Sequence, residues 1–309
     1  MKLFITGGAG YLGREIVKRF YDSAELTIYS RDEAKHYYLK KQFPKIKCII
    51  GDVGDYDLMN RAAKGHDYGI FAASLKQIEA VDQNVEVALK TIVQGAINSR
   101  RISENNNFKA ACFISSDKSR AATTLYGSMK FIGGEAFIVN AECSNVNLTT
   151  AVYGNVLNST GSILPLILDS IKNKYELKLY SSEMTRFMID VEEAVSVIEN
   201  SFNLTGFNII PNIPSFKIKD LFEIYKEEFG LKYTLGQPRI SEKIHEIMIA
   251  KEEVPRTYLD KKTNLYLMHY QKIYNDSNVN FEEFSSANVL ITKQDLYKRL
   301  QEKNFFREI

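Results

Sequence analysis

The sequence predicts an α/β fold with a doubly wound parallel sheet and a smaller α+β domain. Two observations carry this prediction: short apolar runs alternate with helical patterns in the first half of the chain, and a glycine-rich turn joins the first run to the first helix. Short apolar runs are typical of strands buried on both faces of a parallel sheet. Their regular alternation with helices is the pattern of successive βαβ units.

The first predicted strand, residues 2–6, leads into the sequence Gly-Gly-Ala-Gly-Tyr-Leu-Gly. Gly7 permits a tight turn, Gly10 lets the backbone approach a pyrophosphate, and Gly13 lets the following helix pack against the sheet. The amides and dipole at the start of that helix would stabilise phosphate charge. This arrangement predicts a Rossmann-type dinucleotide-binding domain. The residues expected to contact the dinucleotide at this turn are Gly7, Gly10, Tyr11, Leu12 and Gly13.

The end of the second predicted strand, residues 25–30, indicates which dinucleotide binds. Ser30 and Arg31 stand there, and Asp32 and Lys35 follow. An acidic residue at this place binds the ribose 2′-hydroxyl, whereas an arginine accommodates a 2′-phosphate. Because a guanidinium binds phosphate through two parallel hydrogen bonds, we expect NADP rather than NAD. The alternative is that Arg31 is merely exposed and that Asp32 binds the ribose.

The third and fourth predicted strands, residues 46–51 and 69–74, also end beside the expected cofactor. Asp52 follows the third strand, where its carboxylate would meet the adenine amino group unless it caps the next helix. Small side chains end the fourth strand and leave room for a cofactor. Lys76 comes next and could contact substrate or cofactor, although a lysine after a strand is usually solvated. The further cofactor contacts expected here are Val53, Ala72 and Ala73.

The fifth predicted strand, residues 111–114, precedes the sequence Ser-Asp-Lys at residues 116–118. Tyr126 and Lys130 follow on a helix, four residues apart and therefore on one face. An ammonium near a phenol lowers the pKa of the phenol and makes it a usable base. Ligands of open α/β sheets bind at the carboxyl ends of the strands, so these side chains should meet the cofactor. The alternative for the aspartate and lysine is a surface loop.

Four later segments of the chain indicate a narrower class of protein. They are Tyr153-Gly154-Asn155-Val156, Gly161-Ser162, Met184-Thr185-Arg186-Phe187 and Glu242-Lys243-Ile244-His245-Glu246. With the glycine turn and the Tyr–Lys pair, the chain resembles an extended short-chain dehydrogenase/reductase. Over about residues 2 to 300 it resembles the soluble, inverting UDP-N-acetylglucosamine 4,6-dehydratases of pseudaminic-acid and capsule-sugar synthesis. It departs from their usual residues at Phe71, Ile92, Val152, Thr160 and Ile240-Ser241, and Ala121 to Thr124 replace a segment containing Asn-Pro.

The resemblance implies dehydration of UDP-N-acetylglucosamine, or a close UDP-hexosamine, to a UDP-4-keto-6-deoxy sugar with inversion at C5. Tyr126, with Lys130 nearby, would take the O4 proton as hydride passes to NADP, and Ser116 would hydrogen-bond the C4 oxygen. The resemblance assigns Lys118 as the base at C5 and Asp117 as the acid for the departing hydroxyl. These roles need a neutral lysine and a protonated aspartate, and desolvation favours both.

Three alternatives stay open on the same fold. One is a UDP-sugar 4-epimerase or reductase, which needs only Ser116 and Tyr126. Another is a 5,6-dehydratase, in which hydride returns to C4 instead of C6. The third is a catalytically silent NADP-sensing regulator, against which the intact Ser116, Tyr126 and Lys130 argue.

We expect residues 1–157 with 187–211 to form the NADP-binding domain and residues 158–186 with 212–309 to bind the nucleotide sugar. Arg186 is a candidate clamp for the diphosphate, or it pairs with an acid such as Asp190. Arg239 would bind phosphate and Glu242 the ribose. The expected substrate contacts are Lys76, Asn155, Ser162, Leu164, Pro165, Arg186, Arg239 and Glu242.

Composition limits the other partners. The chain has 45% hydrophobic and 25% charged residues and a net charge of +2, so it lacks the excess positive charge that nucleic-acid binding requires. No apolar run approaches the roughly 20 residues that span a bilayer. The first strand begins at once, and we expect no signal peptide and a soluble, cytoplasmic protein. Three cysteines without metal-like spacing predict reduced thiols and no metal site. The resemblance implies a homo-oligomer, either a dimer or a hexamer.

Overall fold

The computed structural model describes residues 1–238, 240–275 and 277–306. A nine-stranded sheet dominates this part of the chain, and smaller sheets of two or three strands lie beside it. The strands are β1 (Lys2–Thr6), β2 (Glu25–Ser30), β3 (Lys47–Ile50), β4 (Tyr68–Phe71), β5 (Ala110–Ile114), β6 (Asn147–Ala151), β7 (Asn155–Val156), β8 (Leu177–Leu179), β9 (Thr185–Ile189), β10 (Phe207–Pro211), β11 (Ser215–Lys217), β12 (Tyr233–Leu235), β13 (Ile247–Ile249), β14 (Thr257–Asp260), β15 (Leu265–His269) and β16 (Phe284–Ser285).

Helices connect most of these strands. They are α1 (Tyr11–Phe20), α2 (Glu33–Gln42), α3 (Tyr56–Ala63), α4 (Ile78–Gln83), α5 (Val85–Ala88), α6 (Gly95–Asn105), α7 (Leu125–Ile138), α8 (Ile163–Asn173), α9 (Val191–Ser201), α10 (Ile218–Phe229) and α11 (Lys293–Glu302). The helix predicted from about residue 78 to 101 is interrupted near Asn84 and contains a π-helical turn at Leu89–Gln94. Among the helices of the described ranges, none has the length and apolar character needed to cross a membrane.

The large sheet has the strand order β14-β15-β10-β6-β5-β4-β1-β2-β3. Strands β1 to β6 pair in parallel, and their order, 3-2-1-4-5-6, is that of a Rossmann fold. The predicted doubly wound sheet is therefore confirmed. β10 continues the parallel part beside β6, and β15 and β14 follow with antiparallel pairing.

Both faces of this sheet are covered, and strand β1 shows why. Its successive side chains point to opposite faces: Leu3 and Ile5 belong to one buried cluster, and Phe4 belongs to the other. The first cluster includes residues of α1, α2 and α9, and the second includes residues of α3, α6 and α7. A strand apolar on both faces is stable only between two helical layers, so the apolar runs determine this architecture.

The glycine turn between β1 and α1 has no room for larger residues. Gly7 has a φ of +70°, and a Cβ there would lie 2.8 Å from the backbone nitrogen of Ala73. A Cβ on Gly13 would lie 2.4 Å from the carbonyl oxygen of Gly7. Both positions therefore need glycine, one for its backbone conformation and both for close approach.

The smaller part of the structure packs α8, α10 and α11 around a separate apolar cluster that includes Ile167, Leu221 and Leu296. Here the predicted domain boundaries need correction. β14 and β15 lie within the predicted 212–309 segment, yet they extend the large sheet because β10 offers an open edge to β15. β9, which begins near the predicted boundary at residue 187, pairs with β7 and β11 in a small sheet instead.

Candidate active site

A cavity of about 1140 Å³ opens at the carboxyl ends of β1, β2, β4 and β5 and extends to α8 and α10 of the smaller part. This is the crevice where strand order reverses between β1 and β4, and open α/β sheets bind ligands there. Most of the predicted site residues line it. They are Gly7, Gly10, Tyr11, Leu12, Gly13, Ser30, Arg31, Asp32, Lys35, Val53, Ala72, Ala73, Lys76, Ser116, Asp117, Lys118, Tyr126, Lys130, Asn155, Ser162, Arg186 and Glu242.

Three predicted contacts do not line the cavity, and a fourth, Arg239, lies outside the described residues. Leu164 is buried in the core of the smaller part, and Pro165 also lies away from the cavity. The helical period of α8 turns Ile163 and Leu166 toward the cavity in their place. The predictions for Leu164 and Pro165 are therefore wrong, although the helix itself was correctly anticipated.

The third misplaced contact is Asp52. Its Oδ1 accepts a hydrogen bond from the Gly54 amide at 2.8 Å, and its Oδ2 lies 3.5 Å from the Arg31 guanidinium. Both oxygens therefore serve local contacts, and the contact with adenine stays a prediction. The next helix is capped by Asp55, which accepts from the Leu58 amide, so the alternative role of Asp52 as helix cap is also not observed.

The segment after β2 carries an exposed cation, Arg31, and a carboxylate that is already hydrogen-bonded, Asp32. The Arg31 side chain is 53% exposed and lines the cavity. Asp32 caps α2 by accepting from the Lys35 amide at 2.9 Å, and the Lys35 ammonium lies 2.9 Å from it. These hydrogen bonds lower the pKa of Asp32. The carboxylate that the NAD alternative requires is thus engaged by its own helix.

The turn after β5 holds the predicted acid. Asp117–Ser119 forms a 3₁₀ turn, and the Ser116 hydroxyl donates to Asp117 Oδ1 at 2.9 Å. The other carboxylate oxygen, Oδ2, is buried without a hydrogen-bond partner. Burial raises the pKa of Asp117, and the neighbouring Lys118 charge only partly opposes this. The shift has the direction that a proton donor requires.

Lys118 differs from the prediction. Its ammonium lies 3.0 Å from Glu246 Oε1 and 3.5 Å from Asp117 Oδ1. Burial alone would lower the pKa of Lys118, but these two carboxylates outweigh it and raise the pKa above its ordinary value. The expected neutral lysine is therefore wrong for this arrangement, because sequence reasoning counted desolvation and not the second acid.

The Tyr126–Lys130 pair also differs from the prediction that the ammonium lowers the pKa of the phenol. The Lys130 ammonium donates to the Ile114 carbonyl at 2.8 Å, and burial lowers its pKa to about 7. Burial also raises the pKa of Tyr126, and the opposing influences come from the Lys118 charge and a hydrogen bond with Ser116. The predicted lowering of the phenol pKa by Lys130 is wrong here, because that amine is directed to a backbone carbonyl.

Arg186 is buried and surrounded by acceptors. It donates to the carbonyl of Thr185 at 2.7 Å and to Glu242 Oε1 at 3.1 Å, and its Nε lies 3.6 Å from Glu246 Oε1. The suggested partner Asp190 instead caps α9. Glu246 was not among the predicted site residues. Its place in the Glu242–Glu246 block was the signal that could have identified it.

Two further lysines line the cavity with unexpected partners. Lys76 donates to the carbonyl of Thr160, which joins two cavity loops, and burial lowers its pKa. Its side chain is nevertheless exposed, as is usual for a lysine after a strand. Lys243 donates to the carbonyl of Arg120 at 2.5 Å. Within the described ranges, no three or more His, Cys, Asp or Glu side chains converge as a metal site.

A Rossmann-ordered sheet, a glycine turn at the edge of a deep cavity, and Ser116, Tyr126 and Lys130 on the cavity wall define an extended short-chain dehydrogenase/reductase. The chain belongs to the polysaccharide biosynthesis protein family, whose sequence pattern matches residues 3–267. The predicted family resemblance is confirmed.

Individual relatives include both a dehydratase and an epimerase. The chain is 33% identical to UDP-N-acetylglucosamine 4,6-dehydratase (inverting) of Campylobacter jejuni serotype O:2, covering 83% of this chain and 79% of the relative. It is 31% identical to UDP-glucose 4-epimerase of Rickettsia massiliae, covering 82% and 79%. Among solved structures, Pen from Bacillus thuringiensis has the same fold, with a TM-score of 0.90 and 22% identity over 98% of both chains.

Proposed function

We propose that this chain is an NADP-dependent hydro-lyase that converts UDP-N-acetylglucosamine, or a close UDP-hexosamine, to a UDP-4-keto-6-deoxy sugar with inversion at C5. One observation carries the proposal: the Asp117–Lys118 pair is held in the same cavity as Ser116 and Tyr126. An epimerase or reductase needs the hydroxyl and the phenol but no additional acid and base. The 33% identity to an inverting dehydratase supports the same reaction.

The residues at the glycine turn fit a dinucleotide. Helix α1 begins after Gly10 without a side-chain cap, so its first amides are available for a pyrophosphate. Arg31 lies at the cavity edge, where a ribose 2′-phosphate would reach it. NADP, when bound, supplies a hydride acceptor for the first step and returns that hydride in the last one. NAD is the less favoured alternative because Asp32 already caps α2.

For the first step, Tyr126 takes the proton of the C4 hydroxyl, and the Ser116 hydroxyl binds the C4 oxygen. Both side chains line one wall of the cavity. Lys130 lies one helical turn from the phenol, and its pKa of about 7 allows its amine to hold or release a proton near neutrality. Once C4 is a ketone, the proton on C5 becomes acidic enough to be removed.

For the elimination, Lys118 acts in its minor neutral form, because its two carboxylate neighbours favour the ammonium. The neutral amine takes the C5 proton, and the pair of electrons from that C–H bond forms the new double bond. Asp117 gives its proton to the C6 oxygen, and the C6–O bond breaks to release water. Return of hydride to C6 would convert the C5–C6 double bond to a C4–C5 enolate, and delivery of a proton by Lys118 to C5 from the opposite face of the ring would then invert that centre. The raised pKa of Asp117 supports its role as the acid.

The nucleotide part of the substrate is assigned to the wall formed by the smaller domain. Arg186 and Glu242 would bind the diphosphate and ribose, with Asn155 and Ser162 nearby, and Ile163 and Leu166 would pack on the base. We assign the cofactor to residues 1–157 and the segment of α9 and β10, together with β14 and β15. The remaining described residues of the second half hold the sugar nucleotide.

Two further properties belong to the proposal. Exposed apolar side chains on α7, including Phe131 at 42% and Ile132 at 50% exposure, support self-association into a homo-oligomer. The three cysteines are free thiols, which favours a reducing compartment such as the cytoplasm.

Incubation of the protein with UDP-N-acetylglucosamine and NADP tests the proposal. We expect the sugar nucleotide to lose the mass of one water, and NMR should show a C6 methyl group beside a C4 ketone. A C5–C6 alkene with a C4 hydroxyl would identify the 5,6-dehydratase instead. An unchanged mass with inverted C4 would identify an epimerase. Tight NADP binding without turnover of any UDP-sugar would favour the silent regulator and reject the enzyme.

A further inference from the structure

Glu246 is a buried acid between the two cations of the cavity wall. It is 2% exposed, and its Oε1 lies 3.0 Å from the Lys118 ammonium and 3.6 Å from Arg186 Nε. The remaining oxygen, Oε2, is buried without a hydrogen-bond partner. The Glu246 amide donates to the Ser286 hydroxyl, and its carbonyl accepts from the Ser286 amide, both at 2.8 Å. Hydrogen bonds with Ser286 thus fix both the amide and the carbonyl of Glu246, and its carboxylate is directed to Lys118.

We propose that Glu246 is a positioning residue that fixes the Lys118 ammonium in the cavity and sets how many protons the Asp117–Lys118 pair holds. This inference rests on the proposed function, because only a dehydratase uses that pair to remove one proton and deliver another. Glu246 acts through its neighbours and need not touch the sugar.

Geometry gives the first reason. The Lys118 amine has two acidic partners, and Glu246 is the nearer one, at 3.0 Å against 3.5 Å for Asp117. The aspartate is adjacent in sequence and moves with the same turn, whereas Glu246 reaches the amine from a different segment. An amine at the end of a flexible stem needs such an external partner to adopt one position.

Charge gives the second reason. A fixed negative charge favours the protonated form of each neighbouring group. It raises the pKa of Lys118 and also that of Asp117. Three other groups face this pair: Arg186 on β9, Lys243 on the segment before β13, and Tyr126 on α7. Arg186 itself forms an ion pair with Glu242. The Lys118 and Arg186 cations in turn keep the pKa of Glu246 low despite its burial, so it remains a carboxylate.

The variant Glu246→Gln keeps the shape and removes the charge. The expected result is that the pH profile of solvent deuterium entry at C5 moves to lower pH on both limbs, by about one unit. Both limbs move in the same direction because the acid and the base each lose their protons more readily. At a pH on the wild-type basic limb, kcat should fall about tenfold. A loss of activity without movement of either limb would overturn the proposal and leave Glu246 a structural residue.

Glu242→Gln is the matched control, because it removes the other acid on Arg186 without touching Lys118. Its KM for the UDP-sugar is expected to change while the limbs of its pH profile stay in place. Glu246→Asp retains the charge at a greater distance and should show a smaller shift than Glu246→Gln. It also serves if the glutamine variant fails to fold.

A titration that needs no turnover separates this inference from the proposed function. Protein labelled with ¹⁵N at lysine Nζ, with Lys118 assigned by comparison with Lys118→Arg, reports the pKa of that amine by NMR. The pKa should fall by about one unit or more in Glu246→Gln. If no UDP-sugar is converted but this shift occurs, the proposed function fails and the role of Glu246 in charging Lys118 stands. If the sugar is dehydrated but the amine does not respond, this inference alone is overturned.

Discussion

Lys118 and Lys130 line the same cavity, yet their surroundings shift their pKa values in opposite directions. Lys118 lies on the turn after β5 between two carboxylates. Lys130 lies on α7 against the Phe113 ring and donates to the backbone carbonyl of Ile114. Burial lowers the pKa of both amines, but only Lys118 has negative charge nearby to reverse the effect.

The difference teaches that burial lowers the pKa of a lysine only where no carboxylate offsets the desolvation. A carbonyl oxygen satisfies one N–H bond of an ammonium but carries no charge to offset desolvation, whereas a carboxylate within about 4 Å can offset it. Asp117 and Glu246 together offset the burial of Lys118, and Glu246 lies 128 residues away from it in sequence. Each of the following measurements tests one part of this contrast.

The largest effect is expected at Tyr126, which shares the cavity with both lysines. Tyr126→Phe removes the phenolic oxygen that we propose as the acceptor of the C4 proton, so hydride transfer should fall about 10²–10⁴-fold. Stopped-flow absorbance of the reduced nicotinamide measures this step directly. Turnover of the variant at the wild-type rate would reject Tyr126 as the acceptor of the C4 proton, and the contrast between the two lysines would then have no bearing on catalysis.

Lys118→Met should reduce solvent deuterium entry at C5 about 10²-fold, because it removes the amine that we propose as the base at C5. Oxidation at C4 should persist, since Ser116 and Tyr126 remain. Mass spectrometry and NMR of the sugar nucleotide recovered from deuterated water measure both steps. Lys109→Met, which changes an exposed lysine, is the control. Full exchange in Lys118→Met would remove Lys118 as the base.

Lys130→Met should stabilise the ligand-free protein by up to about 5 kcal/mol at pH 6, because the wild type must bury an ammonium that prefers water. The pKa of Lys130 is about 7 in the folded protein, and that of a lysine in the unfolded chain is roughly 10.4. Between these values the unfolded chain binds more protons, so wild-type stability rises with pH. The advantage of the variant is therefore full below pH 7 and shrinks toward pH 10.

Urea unfolding of both proteins across this pH range measures the difference, and Lys109→Met again provides an exposed control. A difference that stays constant with pH would show that Lys130 keeps its charge in the fold, and the contrast with Lys118 would disappear.

The smallest effect on stability is expected at Arg31, whose ion pair with Asp52 is partly exposed. The Arg31–Asp52 pair is 53% and 32% exposed, so Arg31→Gln should change the free energy of unfolding by less than about 0.5 kcal/mol. Binding of NADP should nevertheless weaken about tenfold, because a charged hydrogen bond to the 2′-phosphate is lost. Calorimetric titration with NADP and NAD measures this, and an equal loss for both dinucleotides would contradict it.

Much of the fold could be predicted from sequence because its signals are local. The apolar runs of β1 to β5, the alternation with helices and the glycine turn each depend on residues close together in the chain. Positions on α8 were less predictable: Ser162 was correctly expected to line the cavity, but Leu164 was not distinguished from Ile163 and Leu166. A helix pattern shows which residues share a face, not which of two apolar environments that face meets.

By itself, the sequence determined the parallel part of the sheet and the glycine turn, because strand, turn and helix propensities act over a few residues. It also predicted most of the residues that line the cavity. Only the tertiary structure decided that β14 and β15 join the large sheet and that Glu246 meets Lys118. It also decided which buried amine keeps its proton. The pKa of a buried lysine depends on its distance from charges that can be far away in the chain. In a low-dielectric interior that distance affects the pKa more than the type of residue does.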